Sequence, residues 1–485
     1  MTTPISTQLL IAGKLREGRG DVNIVTNPAT EEAVAVVNDA SELDLREALT
    51  AADAAWPAWS REVPSERART LRQIADVLDD HREELAHILV EEVGKPIVEA
   101  RGETEATSGF FRYTASLLET LTDEIRYTPN RNENMWVRRR PHGVVGAIIP
   151  WNYPSALTSR KIAPAIGAGN AIVLKPDSNT PLSSLAIARI IHDSGLLPDG
   201  LINVVSGRGS TIGAGIVESP ITQMISMTGS TGAGKAILRA AARHVKPASL
   251  ELGGNAPLIV MPDADLTLAV NEALKSRHAN NGQVCICAER FFVHRRVYND
   301  FVDLYSAAVD RLTVGDPHSE DTDLGPKVTR DELNKTLRLL DAAVQAGARL
   351  TTNPGDLVGE QFERGYWMRP AVLADVDDAM SVAVEEIFGP VSPISVFDSW
   401  AEVAARANDT SFGLSAYVFT KDLEQAFKAS DDLSFGEVYV NRTGPEEING
   451  FHTGFRESGI GGDDGPHGLD QFFRRQTTYV RYGHA

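Results

Sequence analysis

The chain holds two cysteines, Cys285 and Cys287, both within Asn281-Gly282-Gln283-Val284-Cys285-Ile286-Cys287-Ala288. Two thiols without patterned histidines are too few for a disulfide framework or a zinc site, so no metal centre is expected. Cys285 follows a Gly-Gln pair, between a polar amphipathic stretch and the apolar run Arg290-Phe291-Phe292-Val293. A free cysteine is often inert packing, but one in a glycine-bearing loop between regular elements is placed like a nucleophile. Four more constellations put glycine or proline beside a polar side chain at an expected strand end, where open α/β sheets carry function. In Pro150-Trp151-Asn152-Tyr153-Pro154 the prolines fix the backbone and the Asn152 amide can donate two hydrogen bonds; a plain turn is the alternative. In Leu174-Lys175-Pro176-Asp177-Ser178 the ammonium suits a phosphate or a ribose hydroxyl. Met227-Thr228-Gly229-Ser230-Thr231 opens a helix with amides and hydroxyls suited to a pyrophosphate, without the Gly-x-Gly-x-x-Gly fingerprint. In Leu250-Glu251-Leu252-Gly253-Gly254 a single carboxylate between leucines is either desolvated, with a raised pKa fit for a general base, or ion-paired.

The elements that must position these residues follow from periodicity. Residues 44–117 read as amphipathic helices. From residue 143 strands at 144–149, 171–174, 201–205, 223–227 and 249–252 alternate with helices at 159–168, 182–193, 210–217 and 231–242. A spacing of about 25–30 residues per unit is that of right-handed βαβ crossovers, so this half is a doubly wound nucleotide-binding core. A second α/β series starts near residue 256 and carries Cys285 between a helix at 266–278 and a strand at 291–293. It continues through helices at 298–311 and 330–346 and strands at 391–397, 415–419 and 436–440. Residues 135–140 alternate apolar and basic, and their expected partner is the β-rich C-terminal stretch 476–482.

The fold class is therefore α/β, with two doubly wound α/β domains and a small β element. The expected division is 1–121 with 144–253 for the cofactor domain and 254–450 for the catalytic domain. Residues 451–470 return to the cofactor domain, and 122–143 with 471–485 form an oligomerisation element. At 485 residues and 42% apolar composition the chain has ample core for this. Its formal charge of −19 argues against nucleic acid and anionic membranes as partners. The start Met1-Thr2-Thr3-Pro4-Ile5 shows no signal peptide, no apolar run reaches membrane-spanning length, and two cysteines suit a reducing cytoplasm.

Taken together, these residues resemble the NAD(P)-dependent aldehyde dehydrogenase superfamily. The resemblance runs from Asn27-Pro28-Ala29-Thr30 to the C-terminal strand and includes Pro150-Trp151-Asn152-Tyr153-Pro154, Lys175-Pro176, Met227-Thr228-Gly229-Ser230, Glu251-Leu252-Gly253-Gly254, Gly282-Gln283-Val284-Cys285 and Glu386-Ile387-Phe388-Gly389-Pro390. It implies Cys285 as the nucleophile, Asn152 with the Cys285 amide as the oxyanion hole, and Glu251 as the base that activates water. For the cofactor, NAD or NADP, it implies Lys175 at the adenine ribose and Gly229, Ser230 and Trp151 at the pyrophosphate. Glu386 and Phe388 fall on the nicotinamide side. Strongly NAD-selective members carry glutamate where Ser178 stands, so the serine should leave Lys175 free to meet a 2′-phosphate, with Asp177 partly restoring negative charge. The resemblance also implies a homodimer or homotetramer.

Within the superfamily Arg160, Glu446 and His452 match pocket positions of the lactaldehyde/glycolaldehyde dehydrogenase branch, which implies a short hydroxylated aldehyde as substrate. Glu289-Arg290 and Gly450-Phe451-His452-Thr453-Gly454-Phe455-Arg456 also resemble that branch, whereas Ile286 departs from it. Arg160 occurs in succinate-semialdehyde dehydrogenases too, but their second arginine is Ala279 here. An anionic hydroxyaldehyde stays open, as does an Arg160 paired only to Glu446 as a structural bridge. A non-catalytic binding protein on this scaffold would not need Cys285, Glu251 and Asn152 together, and a CoA-acylating enzyme commonly lacks the acid at 251.

Overall fold

The computed structural model describes residues 5–353 and 355–482. The expected C-terminal segment therefore loses 483–485, and Met1-Thr2-Thr3-Pro4 also lie outside the described residues. Five parallel strands form the centre of an eight-stranded sheet, in the spatial order Ala248–Glu251, Thr222–Thr228, Val144–Ile148, Ala171–Lys175, Ile202–Val204. In chain order that is 5-4-1-2-3, so the connections reverse direction between Val144–Ile148 and Thr222–Thr228. The crevice at such a reversal is where doubly wound sheets bind ligands, and the turns bearing Asn152 and Gly229 open onto it. Gly459–Ile460 adds an antiparallel edge strand beside Glu251, carrying the return segment back to this sheet.

A second sheet has seven strands, with Ala256–Val260 and Ala288–His294 paired in parallel at its centre and Glu437–Val440 at one edge. Strands buried on both faces read as continuous apolar runs, and Leu258, Ile259, Phe291 and Val293 are buried accordingly. The third sheet pairs Phe473–Arg481 with Glu133–Pro141 in antiparallel register, Gln476 opposite Arg138, and adds Glu124–Tyr127. This is the pairing expected from the two β-rich segments. Among the described residues no helix is long and apolar enough to cross a membrane.

Two elements depart from expectation. The helix expected at 159–168 begins five residues earlier, as Pro154–Gly167. Proline suits the first helical position, and no local side chain caps this end. A distant one does: Glu103 Oε1 accepts from the amides of Ser155 and Ala156 at 2.9 and 3.2 Å. Glu103 is itself paired with buried Lys95, whose Nζ donates to the Asn152 carbonyl at 3.1 Å. A buried ion pair thus holds both the helix start and the turn bearing Asn152. The helix expected at 210–217 is split into a π-turn, Gly209–Gly213, and a short helix, Ala214–Glu218.

Candidate active site

Cys285 lies between the helix Leu266–His278 and the strand Ala288–His294. The turn before it holds Asn280 and Asn281 at φ 46° and 59°. Asparagine tolerates this left-handed region better than most residues, and both side chains are engaged. Asn280 Nδ2 donates to the Asn152 carbonyl at 2.9 Å, and Asn281 Nδ2 donates to Gly325 O at 2.8 Å. Gly282 has φ +74°, and a Cβ there would meet the Gly389 carbonyl at 2.5 Å. Only glycine lets the cysteine loop lie against the Glu386–Gly389 segment this closely. Asn152 Nδ2 donates to Gln283 O at 2.9 Å, which brings the first sheet's turn onto the cysteine loop.

The two sheets contribute opposite ends. Asn152, Lys175, Gly229 and Glu251 stand at the carboxyl ends of first-sheet strands. Cys285, Glu386 and Glu437 stand at the amino ends of second-sheet strands. The expectation that function gathers at carboxyl ends therefore describes the first sheet only.

Glu251 is 2% exposed, and neither carboxyl oxygen has a hydrogen-bond partner among the described residues. Its nearest cationic neighbour is His452, with Nε2 3.6 Å from Oε2. Burial drives the Glu251 carboxyl up to about 8, against the opposing pull of His452. Below that pH it is an uncharged acid, and above it a base. Burial also raises the half-buried Cys285 thiol, and His452 again pulls it the other way. Cys287 is different. It is 1% exposed and accepts from Arg277 Nη1 at 3.0 Å, beside the Arg277–Glu289 ion pair, and burial drives its thiol far upward. It packs, and both cysteines are free.

Of the residues expected at the cofactor, Ser230 caps the helix Thr231–Ala241, accepting from Ala233 N at 3.3 Å at an exposed helix start. Such an end presents amides and a positive dipole to an anion. The Gly229 amide donates to Glu251 O at 2.9 Å. Trp151 meets Phe388 edge to face, with ring centroids 5.4 Å apart. Glu386 Oε1 accepts from the Gly254 amide at 2.8 Å, and desolvation moves its carboxyl up to about 7. Lys175 is not free, as its setting beside Ser178 had suggested. Its buried Nζ donates to the Pro176 carbonyl and, at 3.1 Å, to Gly207 O. Ser178 Oγ donates to the same Gly207 carbonyl at 3.2 Å.

The three expected pocket residues do come together, with two more that sequence reading missed. Arg160 Nη2 lies 2.9 Å from Glu446 Oε1. Its main partner is Asp464, met in a fork by Nη2 and, at 3.0 Å, by Nε. The bridge to Glu446 alone is thereby corrected. His452 Nδ1 lies 3.3 Å from Glu437 Oε2. The one available signal for Asp464 was the pair Asp463-Asp464 inside a glycine-bearing return segment. Nothing marked Glu437.

The arrangement combines a thiol, an amide donor beside it and an otherwise unpartnered carboxyl at the mouth of a dinucleotide-type crevice. That set can carry an acyl group on sulfur and release it to water. The family model described as the aldehyde dehydrogenase family matches residues 16–478. The chain belongs to the aldehyde dehydrogenase family. It is an NAD(P)-dependent oxidoreductase. This dehydrogenase is 46% identical to 3,6-anhydro-alpha-L-galactose dehydrogenase of Streptomyces coelicolor, over 94% of this chain and 93% of the relative. It is 39% identical to lactaldehyde dehydrogenase of Escherichia coli, over 99% and 100% of the two chains. A solved structure of 3,6-anhydro-L-galactose dehydrogenase in complex with NAP superposes with a TM-score of 0.95 at 41% identity, covering 98% of this chain and 99% of that one.

Proposed function

We propose that this dehydrogenase oxidises a short, neutral, hydroxylated aldehyde of the lactaldehyde or glycolaldehyde type to its carboxylic acid. The observation that carries this reading is the fork between Arg160 and Asp464, reinforced by Glu446. Two cationic groups, Arg160 and His452, face Asp464, Glu446 and Glu437, with Asp463 4.0 Å from Arg160 and Glu251 3.6 Å from His452. A substrate carboxylate or sulfonate would find no uncommitted cation, whereas hydroxyls can share hydrogen bonds with groups already paired. An alkyl chain would offer these polar groups nothing. The relatives named for lactaldehyde and for an anhydrosugar support a hydroxylated substrate. An aldehyde panel tests it: glycolaldehyde, lactaldehyde and 3,6-anhydro-L-galactose should exceed propanal and succinate semialdehyde in kcat/KM. Equal or better turnover of the last two would overturn the reading.

In this proposal the Cys285 thiolate attacks the aldehyde carbon, and the Asn152 side-chain amide and the Cys285 backbone amide hold the resulting oxyanion. Nicotinamide, when bound, supplies the hydride acceptor. The acyl group then rests on Cys285 as a thioester. Glu251 takes a proton from the attacking water, the acid leaves and the thiolate is restored. Ser230, Trp151 and the first amides of the Thr231 helix would hold a pyrophosphate, Lys175 the adenine ribose through the one proton its two carbonyl partners leave, and Glu386 the nicotinamide ribose, with Phe388 beside the ring. The sheets that carry these residues support the domain division given above.

Asp177 Oδ1 accepts from the amide and side chain of Asn179 at 2.9 and 2.8 Å, so it is turned into its own loop. Ser178→Glu should therefore add a carboxylate that Asp177 does not already supply, and lower kcat/KM for NADP by about 10-fold while holding that for NAD. An unchanged NADP/NAD ratio would show that selectivity lies elsewhere. Assembly is proposed through the three-stranded sheet, on which Ile125, Tyr127 and Tyr479 are exposed. Deleting 471–485 should lower the molar mass seen by light scattering, and an unchanged oligomer would refute this role.

A further inference from the structure

His452 is a single ring on which several buried acids converge. Its backbone is pinned to Asp463 by two hydrogen bonds, at 3.0 and 2.8 Å, and its side chain is 3% exposed. Nδ1 faces Glu437 Oε2 at 3.3 Å, and Nε2 faces Glu251 Oε2 at 3.6 Å. Neither contact is a hydrogen bond, because His452 Nδ1 and both Glu251 oxygens are unpartnered among the described residues, but carboxyl oxygens this close to both nitrogens favour the charged ring.

The surrounding charges agree. Burial works against a charged ring and is the largest single influence, but Glu446, Cys285 and Glu437 together outweigh it and the repulsion of Arg160, holding His452 well above its ordinary value. Glu446 in turn, although desolvation opposes it, is brought down to about 2 by His452 and Arg160 and stays ionised. Lys161 and Asp463 pair with each other at 2.5 Å, and neither leaves an unbalanced charge at the ring. The imidazole also acts on the Cys285 thiol, pulling it down against the larger upward push of burial.

We propose that His452, kept as an imidazolium by Glu437 and Glu446, is a positioning residue that stabilises the anions of both reactive acids, the Cys285 thiolate and the Glu251 carboxylate. This rests on Cys285 and Glu251 being the nucleophile and the base. It gives His452 a task beyond binding substrate hydroxyls, because burial alone makes both acids reluctant to ionise. One fixed cation offsets that for each, and Glu437, on the edge strand of the second sheet, keeps the ring turned toward them.

The test separates this role from substrate binding and from turnover. Cofactor-free enzyme is alkylated with iodoacetamide across a pH series, and modification of Cys285 is followed by peptide mass. His452→Gln keeps a hydrogen-bonding side chain without the charge. It should move the alkylation inflection upward by about one pH unit or more and slow alkylation at pH 7 about 10-fold. Glu437→Gln should shift it in the same direction by less, and Glu437→Asp should restore most of the wild-type profile. Propanal, which has no hydroxyl to bind, should lose as much kcat/KM in His452→Gln as lactaldehyde does. An unchanged alkylation profile in folded His452→Gln, with only the KM for hydroxylated aldehydes raised, would reduce His452 to a substrate ligand and overturn the proposal. Should that variant not fold, an unshifted Glu437→Gln profile overturns it equally. Full turnover in Cys285→Ala would instead remove the nucleophile reading beneath it, whatever the alkylation shows.

Discussion

Cys285→Ala is expected to abolish aldehyde oxidation while leaving cofactor binding close to that of the unaltered enzyme. The side chain is small, half-buried and makes no hydrogen bond that holds the loop; Asn280, Asn281 and Gln283 do that. Its loss should therefore remove chemistry and little structure. Glu251→Gln separates the two halves of the reaction. It should still release a burst of reduced cofactor and then stall at the thioester, with steady-state kcat down by about 10²–10⁴-fold, the usual reach of a general base. The pH dependence has a definite sign. With the carboxyl raised to about 8, the ionised form that activates water is scarce at neutral pH. Where hydrolysis limits turnover, kcat should climb through that region, and the climb should vanish in Glu251→Gln. Stopped-flow bursts and pH profiles check both. Steady turnover at wild-type rate by either variant would sink the assignment.

What could be read from sequence was what is local. Strands such as Val391–Phe397 and Ser415–Phe419 match expectation end to end, because an apolar run between turn residues defines itself. Asn152, Glu251 and Cys285 were legible because each sits in a glycine- or proline-bearing turn. The Pro154 helix start was not, because its cap is Glu103, on another helix. Lys175 was taken to be free because the carbonyl of Gly207, 32 residues on, leaves no mark near it. Arg160 and Asp464 are 304 residues apart, and an ion pair over that separation has no periodicity to betray it. Sequence placed Arg160 in the pocket. Only the fold reveals that its charge is already answered.

That answered charge carries the second large effect. Asp464→Asn should turn the pocket toward anionic aldehydes. Asp464 is 3% exposed at its side chain and Arg160 9%, so the pair is shielded from salt and solvent and its charge balance is felt by whatever enters. Deleting one partner of a buried pair outright costs about 3–5 kcal/mol. Asparagine is the gentler probe, because it keeps the shape and one acceptor for the guanidinium while removing the charge. Glu446 and, at 4.0 Å, Asp463 then remain near Arg160, but Asp463 is also paired with Lys161 and Glu446 also answers His452, so a net positive charge appears where the substrate's far end lies. On the aldehyde panel, kcat/KM for succinate semialdehyde should rise about 10-fold relative to lactaldehyde, the scale of one uncompensated charge contact. Its KM should climb with added salt, as an attraction now reaching an entering ion is screened. Arg160→Ala should do the opposite, hurting hydroxylated aldehydes most and drawing lactaldehyde toward propanal. If Asp464→Asn folds normally and lowers every aldehyde by the same factor, the fork is a structural brace and substrate charge is sorted elsewhere.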